Sequence, residues 1–484
     1  MSGYDNGGAS LDKKTLKTWR PLHLSAISDI ENHLQLLRSR AFDLSINAPL
    51  GAAIIATLTS GVIGQGLRLF PRPRFNELGL TAEQARAWNR KVKSEFALWS
   101  AGADFLRRNS FEELQRIAFQ SSLSDGDCFC LIKRDLPNEA NPYSLRLQLV
   151  ESARVSNPII DGVTLFADMK YGNHRIVNGI EVDKAGRLIA CHISNRLWNE
   201  YSATEPELTW QRVKFFGDKT GCRNVLQIAS DDRPDNFRGV PLLAPVIESL
   251  KQLSRYVDSE LTSSIVRTFF SLFFTQERTN LTLNDIAGTD DKAKEELDVS
   301  EIKIGAGTLT ALPEGVNVQT VSSQQSQNVF DSFTTSLIKQ ICAAVNLPYE
   351  SVMKNFNSSY SASRAALLQA QNEFNRRKSY FETDFLQPIY EQFLTEAIAI
   401  GRIDAPGYFD DANKKSAWLN AEWYSPISKA LDAQKEINAS ILRLQNGLST
   451  YEKEIAESAG EDFDDIIQTL SQERAMLKTV DLFS

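Results

Sequence analysis

From Val240 to Phe274 the chain has no glycine, and its only prolines are Pro241 and Pro245. Leu243, Val246, Ile247, Leu250, Leu253, Val257, Leu261 and Ile265 recur there at helical spacing. The pattern predicts one helix of about nine turns, roughly 50 Å at 1.5 Å per residue. Glu248, Lys251, Arg255, Asp258 and Glu260 fill its other faces. A return helix is expected over 323–346, with Val329, Phe330, Phe333, Leu337, Ile341 and Val345 on one side. Its other side is Ser, Gln, Asn and Thr, charged only at Asp331 and Lys339, whereas exposed helix faces normally carry Glu and Lys. Between the two lies a small insert, 276–321, with an acidic stretch and short β segments at Glu301–Ile304, Thr308–Leu312 and Val316–Val321. Two antiparallel helices bearing a tip offer each other only one contact face, so copies packing laterally would complete the burial. A head-to-tail contact that closes makes a ring. The weakly charged face of 323–346 would then line its hole, where a polyanion meets few fixed cations and can slide.

The remaining sequence surrounds this hairpin with ordinary globular material. Four hundred and eighty-four residues exceed one core, so two or more units are expected. The formal charge of −8 argues against a broad, tight nucleic-acid clamp. Five cysteines spread over this length form no disulfide framework, and Cys128-x-Cys130 has no second pair at zinc spacing. No apolar signal-peptide core opens the chain. Ser45–Leu67 is uncharged but holds Pro49 and four glycines, which suits a buried helix near 48–60 and a strand at 66–70 better than a membrane span. One-faced helices are expected over 24–47, from Ile27, Ile30, Leu34, Leu37 and Phe42, and over 82–99, from Ala85, Trp88, Val92, Phe96 and Trp99. Ser110 and Glu113 form a capping box opening a helix at 110–123. Strands follow at 127–133, 143–150, 176–182 and 187–193, the last two joined by a turn at Asp183–Gly186. Beyond Asn346-Leu347-Pro348, residues 349–359 read as loop, and a long helix runs to about 400. Helices at 428–445, 449–458 and 462–478 finish the chain. The fold class is α+β, mainly helical.

Catalytic motifs find little support. Gly61-x-x-Gly64-x-Gly66 follows a helix and precedes a strand, the reverse of a dinucleotide fingerprint. No G-x-S-x-G, H-E-x-x-H or P-loop occurs. Asp125 and Asp127 could pair as carboxylates, but a turn before a strand explains them. His174 and His192 read as ordinary histidines of the hairpin strands. No catalytic residue, metal or cofactor is expected; an α/β enzyme would need a polar pocket around Asp125, Asp127 or His192.

A set of collinear landmarks adds a family resemblance. These are Arg38-Ser39-Arg40-x-x-Asp43-Leu44, Asn47-x-Pro49-Leu50, Gly64-x-Gly66-Leu67, Ser124-Asp125-Gly126-Asp127, Arg233-Pro234 and Arg238-Gly239-Val240-Pro241-Leu242-Leu243-Ala244-Pro245. Gly307-Thr308-Leu309, Leu312-Pro313-x-Gly315, Ser359-Tyr360-Ser361-Ala362-Ser363-Arg364-Ala365-Ala366, Asp432-x-x-Lys435-Glu436 and Asn446-Gly447-Leu448-Ser449-Thr450 continue it. In this order they resemble the lambda-type portal proteins of tailed bacteriophages. The resemblance implies a homo-oligomeric ring, usually a dodecamer, at one capsid vertex of the virion, assembled in the host cytoplasm. Double-stranded DNA passes through it, driven in by the terminase large subunit and later released through the tail. It also implies contacts with capsid, scaffold and head–tail adaptor proteins, with no membrane and no hydrolysis by the portal itself. A shorter neck adaptor is the competing reading within the same assembly.

The implied map places a wing at 1–239 and 360–427, stem helices at 240–275 and 322–346, a clip at 276–321, a tunnel loop at 347–359 and a crown at 428–484. Lys354, Asn355 and Asn357 become candidates for DNA contact in the tunnel loop. Asp290, Asp291, Glu295 and Glu296 become candidates for meeting the motor or the neck proteins. Residues 422–484 carry 12 acidic and 6 basic side chains, a surface that would repel packaged DNA.

Overall fold

The computed structural model describes residues 9–10, 12–139, 141–160, 163–164, 170–197, 200, 204, 207–230, 233–268, 272–276, 316–320, 327–356, 359–425, 433–459 and 463–479. The chain divides into two compact units, one of residues 1–250 with 338–484, the other Lys251–Leu337.

The first unit opens with α1 (Ala26–Glu31), α2 (Leu34–Asn47) and α3 (Pro49–Val62). The single helix expected over 24–47 is thus broken at Asn32-His33. The buried face of α2 is Leu34, Arg38, Ala41 and Leu44, while Phe42 is 47% exposed. An arginine on the inner face is invisible to a count of apolar positions. Pro49 starts α3 where a missing N–H costs nothing, and Ile54, Ile55, Leu58 and Val62 are buried. Then follow β1 (Arg68–Pro71), α4 (Phe75–Leu78), α5 (Ala82–Ser100) and α6 (Phe111–Asp125). All five apolar residues expected to face inward from α5 are buried. Both hydrogen bonds of the Ser110/Glu113 capping box form.

Next come β2 (Asp127–Arg134), β3 (Leu145–Val150), β4 (Ile159–Ile160), β5 (Val163–Thr164), β6 (Lys170–Tyr171), β7 (His174–Val177), β8 (Ile180–Val182), β9 (Leu188–Ser194), β10 (Trp210–Lys214) and β11 (Val225–Ala229). They form a three-stranded sheet in the order β11-β2-β3, a five-stranded sheet in the order β10-β9-β8-β7-β6 and a separate β4-β5 pair. The expected strand at 176–182 is two strands. Asn178 (φ 47°) and Gly179 (φ 85°) turn the chain between β7 and β8, because both sit in the left-handed region that a two-residue hairpin turn needs.

The rest of the chain supplies α7 (Ile247–Thr268), β12 (Leu272–Gln276), β13 (Val316–Thr320), α8 (Gln327–Ala344), α9 (Tyr349–Met353), α10 (Tyr360–Phe381), α11 (Gln387–Ala399), α12 (Ala412–Trp418), β14 (Ala421–Tyr424), α13 (Ala433–Gln445), α14 (Tyr451–Ala459) and α15 (Phe463–Thr479). A π-helical turn, Glu382–Leu386, joins α10 to α11; Pro388, with no N–H to donate four residues back, accounts for the widening there. β14 pairs antiparallel with β1 across some 350 positions of sequence. The core of this unit is aromatic. Phe96 meets Trp99 at 5.1 Å, Phe393 at 5.1 Å, Phe111 at 5.6 Å and Trp423 at 5.9 Å between ring centres, binding α5, α6, α11 and β14 together.

Two expectations for the helical hairpin change. The long helix starts at Ile247, after a 3-10 turn over Ala244–Val246 that Pro245 favours, and spans 22 residues, about 33 Å. Residues 272–276 are not its continuation but β12, paired with β13, as the run Leu272-Phe273-Phe274-Thr275 of β-formers allows. The segments Glu301–Ile304 and Thr308–Leu312 lie outside the described residues. Among the described residues no single helix is long and apolar enough to cross a membrane.

Candidate functional site

Several of the sequence landmarks converge on one buried carboxylate. Asp127, the first residue of β2, is 0% exposed. It accepts hydrogen bonds from Arg238 Nε at 2.7 Å and Nη2 at 3.1 Å, from Arg38 Nη2 at 2.9 Å, from the Gly239 N–H at 3.1 Å, and from the Ser152 hydroxyl. Arg238, itself 2% exposed, also donates to the Val155 carbonyl at 2.7 Å, the Ser152 carbonyl at 2.8 Å and the Asn178 carbonyl, and lies over the Phe129 ring. Arg38 donates to the Asp125 carbonyl at 2.8 Å. Burial alone would raise the Asp127 pKa. The charges of Arg238 and Arg38 and the hydrogen bonds from Arg238 and Ser152 outweigh it and hold the group at about 2. A carboxylate so saturated has no basicity to offer a substrate. The turn expected at Ser124–Asp127 is therefore only half the account, because Asp127 ties α2, β2 and the approach to α7 together.

The close fit explains the two glycines beside this node. Gly126 has φ 93°, and a Cβ on Gly239 would stand 1.9 Å from the Gly126 carbonyl oxygen. Backbone passes backbone there, with no room for a methyl group.

Asp125, next door, is shifted the other way. Desolvation raises its pKa from 3.8 to about 6, against the Ser124 hydrogen bond and the Arg38 charge. The unfolded chain releases this proton near pH 4 and the folded chain near 6, so the folded form binds more protons between them and stability falls as pH rises through that window. Asp125→Asn is expected to stabilise the chain at neutral pH by about 1–3 kcal/mol, partial exposure setting the lower figure. The gain should vanish by about pH 4. Thermal melts across pH check this, and a gain independent of pH would contradict it.

A second carboxylate gathers the two histidines. Glu181, on β8 and 1% exposed, meets Arg212 Nε at 2.6 Å, His174 Nδ1 at 2.6 Å and His192 Nε2 at 3.4 Å. Burial would raise its pKa, but hydrogen bonds from Arg212 and His174 bring it to about 2. Burial lowers the His192 pKa in spite of Glu181. Two histidines that look unrelated in the sequence thus staple adjacent strands of one sheet, with Arg212 neutralising the charge.

The helical unit has a different character. Tyr256 on α7 stacks on Phe330 at 5.3 Å and meets Phe333 edge-on at 5.2 Å on α8. Leu250 and Leu253 of the apolar stripe are 1% and 8% exposed, whereas Val257, Leu261 and Ile265 are 44%, 60% and 50% exposed, and Phe333 is 52% exposed. Four large apolar side chains on two facing helices stay open to solvent in the single chain, the pattern of a surface meant for a partner.

The segment after α8 is more ordered than the expected loop over 349–359. Its first half is α9, ended by Lys354 in the left-handed conformation (φ 53°). Lys354 and Asn355 are exposed, and the Asn355 N–H donates to the Glu350 carbonyl at 3.2 Å. Asn346, also left-handed (φ 57°), donates from its side chain to Glu373 at 2.6 Å. Asn357, Asp290, Asp291, Glu295 and Glu296 lie outside the described residues.

The family model described as "Phage portal protein, lambda family" matches residues 12–378. The chain is 24% identical to Portal protein B of Escherichia phage lambda over 99% of its own length and 91% of that protein's. It is likewise 24% identical to the portal protein of Escherichia phage N15, over 96% and 88%. A chain from the neck of a native GTA particle aligns at 12% identity and a TM-score of 0.44, covering 88% of this chain and 92% of that one. A family match over residues 12–378, with both relatives aligned across almost the whole chain, makes this chain a member of the lambda family of phage portal proteins, a structural head–tail connector and not an enzyme.

Proposed function

We propose that identical copies of this portal close into a ring at one capsid vertex of the virion, usually twelve-membered in the family, and that the terminase motor drives double-stranded DNA through its channel. Capsid, scaffold and head–tail adaptor proteins are its other partners during assembly in the host cytoplasm. One observation carries this reading: the apolar stripe of α7 stays open at Val257, Leu261 and Ile265, a face that a neighbouring copy would cover. Lys251–Leu337, a compact unit of its own, holds most of the segments assigned in this reading to the stem (240–275 and 322–346) and the clip (276–321). On the same map 1–239 with 360–427 is the wing, 347–359 the tunnel segment and 428–484 the crown. Localising a tagged chain in electron micrographs of assembled virions tests the reading. A tag found anywhere but the tail-bearing vertex would overturn it.

Within that ring, Lys354, Asn355 and Asn357 contact passing phosphates, and Asp290, Asp291, Glu295 and Glu296 dock the motor or the neck proteins. Lys354→Ala heads are expected to assemble normally but to include several-fold fewer DNA-filled particles. Buoyant-density separation of filled from empty heads measures this. Because left-handed Lys354 ends α9, Lys354→Gly distinguishes loss of charge from loss of a turn: it keeps the turn and should share the packaging defect.

A further inference from the structure

The chain is acidic overall, yet the stretch from Lys354 to Phe381 holds five cations (Lys354, Arg364, Arg376, Arg377 and Lys378) and a single carboxylate, Glu373. That carboxylate is withdrawn from the surface. Glu373 is 2% exposed, and Arg376 Nη2 at 2.8 Å, Arg377 Nε at 2.6 Å and the Asn346 amide cover it. Two guanidinium groups on one carboxylate leave a net positive charge at that point. What α10 presents to solvent includes Arg364, the amides of Gln369, Gln371, Asn372 and Asn375, and Arg376, with Leu368 (58%) and Tyr380 (50%) exposed among them and no exposed acid. At its N-terminal half, Gln369 shares a cleft of about 320 Å³ with Lys339, Asn346, Tyr349 and Glu350. That cleft reaches the last turns of α8 at Lys339, with Glu350 as the acid on its lining.

We infer that the outer face of α10, from Arg364 to Arg376, is a contact track for the phosphate backbone of duplex DNA. This rests on the portal reading and extends the DNA contact beyond Lys354 to a helix that the sequence alone does not single out. The chemistry suits a cargo in transit. Arg364 and Arg376 stand twelve residues apart, about 18 Å along the helix and about a third of a turn around it, so they bound a broad exposed arc, and the amides between them donate hydrogen bonds without charge. Each fixed cation adds one increment of salt-dependent affinity, so a sparse row of them guides the backbone without arresting it. Charge complementarity selects the occupant: in a chain of net charge −8, a long helix with no exposed acid faces a polyanion.

The test uses the full chain as isolated in ring form and a short blunt DNA duplex of arbitrary sequence, with anisotropy read across a salt series. Arg364→Gln and Arg364→Gln/Arg376→Gln are expected to sediment as rings like the parent. The slope of log affinity against log salt should shrink by about 1 for each phosphate that is no longer neutralised. Lys219→Gln, an exposed cation elsewhere, should leave the slope unchanged. Arg364→Gln leaves the Glu373 cluster intact, so it answers even if the double variant folds poorly. An unchanged slope in Arg364→Gln overturns the inference. So does loss of rings with DNA affinity intact, which would make the face a contact between copies. Failure of the portal reading would show separately, as absence of rings in the parent chain.

Discussion

Arg238→Ala is expected to lower the unfolding free energy by about 3–5 kcal/mol, since removing one partner of a buried pair leaves an uncompensated charge. The side chain is 2% exposed and donates to Asp127, Val155, Asn178 and Ser152 at once. Those partners are spread over several loops and strands, so the damage is not confined to one hydrogen bond. Arg38 cannot take over, because its own guanidinium is committed to the Asp125 carbonyl as well as to Asp127. Arg238→Lys should recover only part of the stability: an ammonium keeps the charge but lacks the planar fork that reaches all four acceptors. Gly239→Ala is expected to act on the same node by a different route, driving a methyl group to within 1.9 Å of the Gly126 oxygen. Urea midpoints measured on the three variants check the series. Arg238→Ala within about 1 kcal/mol of the parent would mean that the node does not hold the unit together.

That node also shows where sequence reasoning runs out. Periodicity reads apolar faces, and it places α5 with every inward residue correct because Ala85, Trp88, Val92, Phe96 and Trp99 are all apolar and buried. It misreads α2, where one inward position is Arg38. Nothing local distinguishes a solvated arginine from one that will meet Asp127 89 positions later. Composition places the capping box at Ser110 and the turn at Asp183–Gly186, since both are set by neighbours in sequence. The same local chemistry could have found the Asn178-Gly179 turn, which strand-rich flanks conceal. The β1–β14 pairing and the common approach of His174, His192 and Arg212 to Glu181 have no local signal. Of the candidate DNA-contact residues, Lys354 and Asn355 are legible as a lone cation and amide in a polar segment. The basic face of α10 is not, because its one carboxylate looks exposed until Glu373 is seen beneath two arginines.

Leu261→Glu combined with Ile265→Glu is expected to leave the chain folded and to prevent ring closure. In the single chain both side chains are already half in water, at 60% and 50% exposure, so a charge there costs the monomer little. In a closed ring every subunit presents the same face once, and the glutamates would be buried against a neighbour at each interface. An unpaired charge taken out of water costs several kcal/mol even after relaxation, and the cost recurs around the ring, so the assembled population should fall by orders of magnitude. Light scattering reads the outcome as a fall from several hundred kilodaltons to the 54.2 kDa of one chain, with circular dichroism unchanged. Leu250→Glu is the informative contrast. That residue lies on the same stripe but is 1% exposed, so its replacement should unfold the chain rather than merely disperse it. Full-size rings from the Leu261/Ile265 double variant would place the subunit contact elsewhere and remove the main support for a stem that closes around a channel.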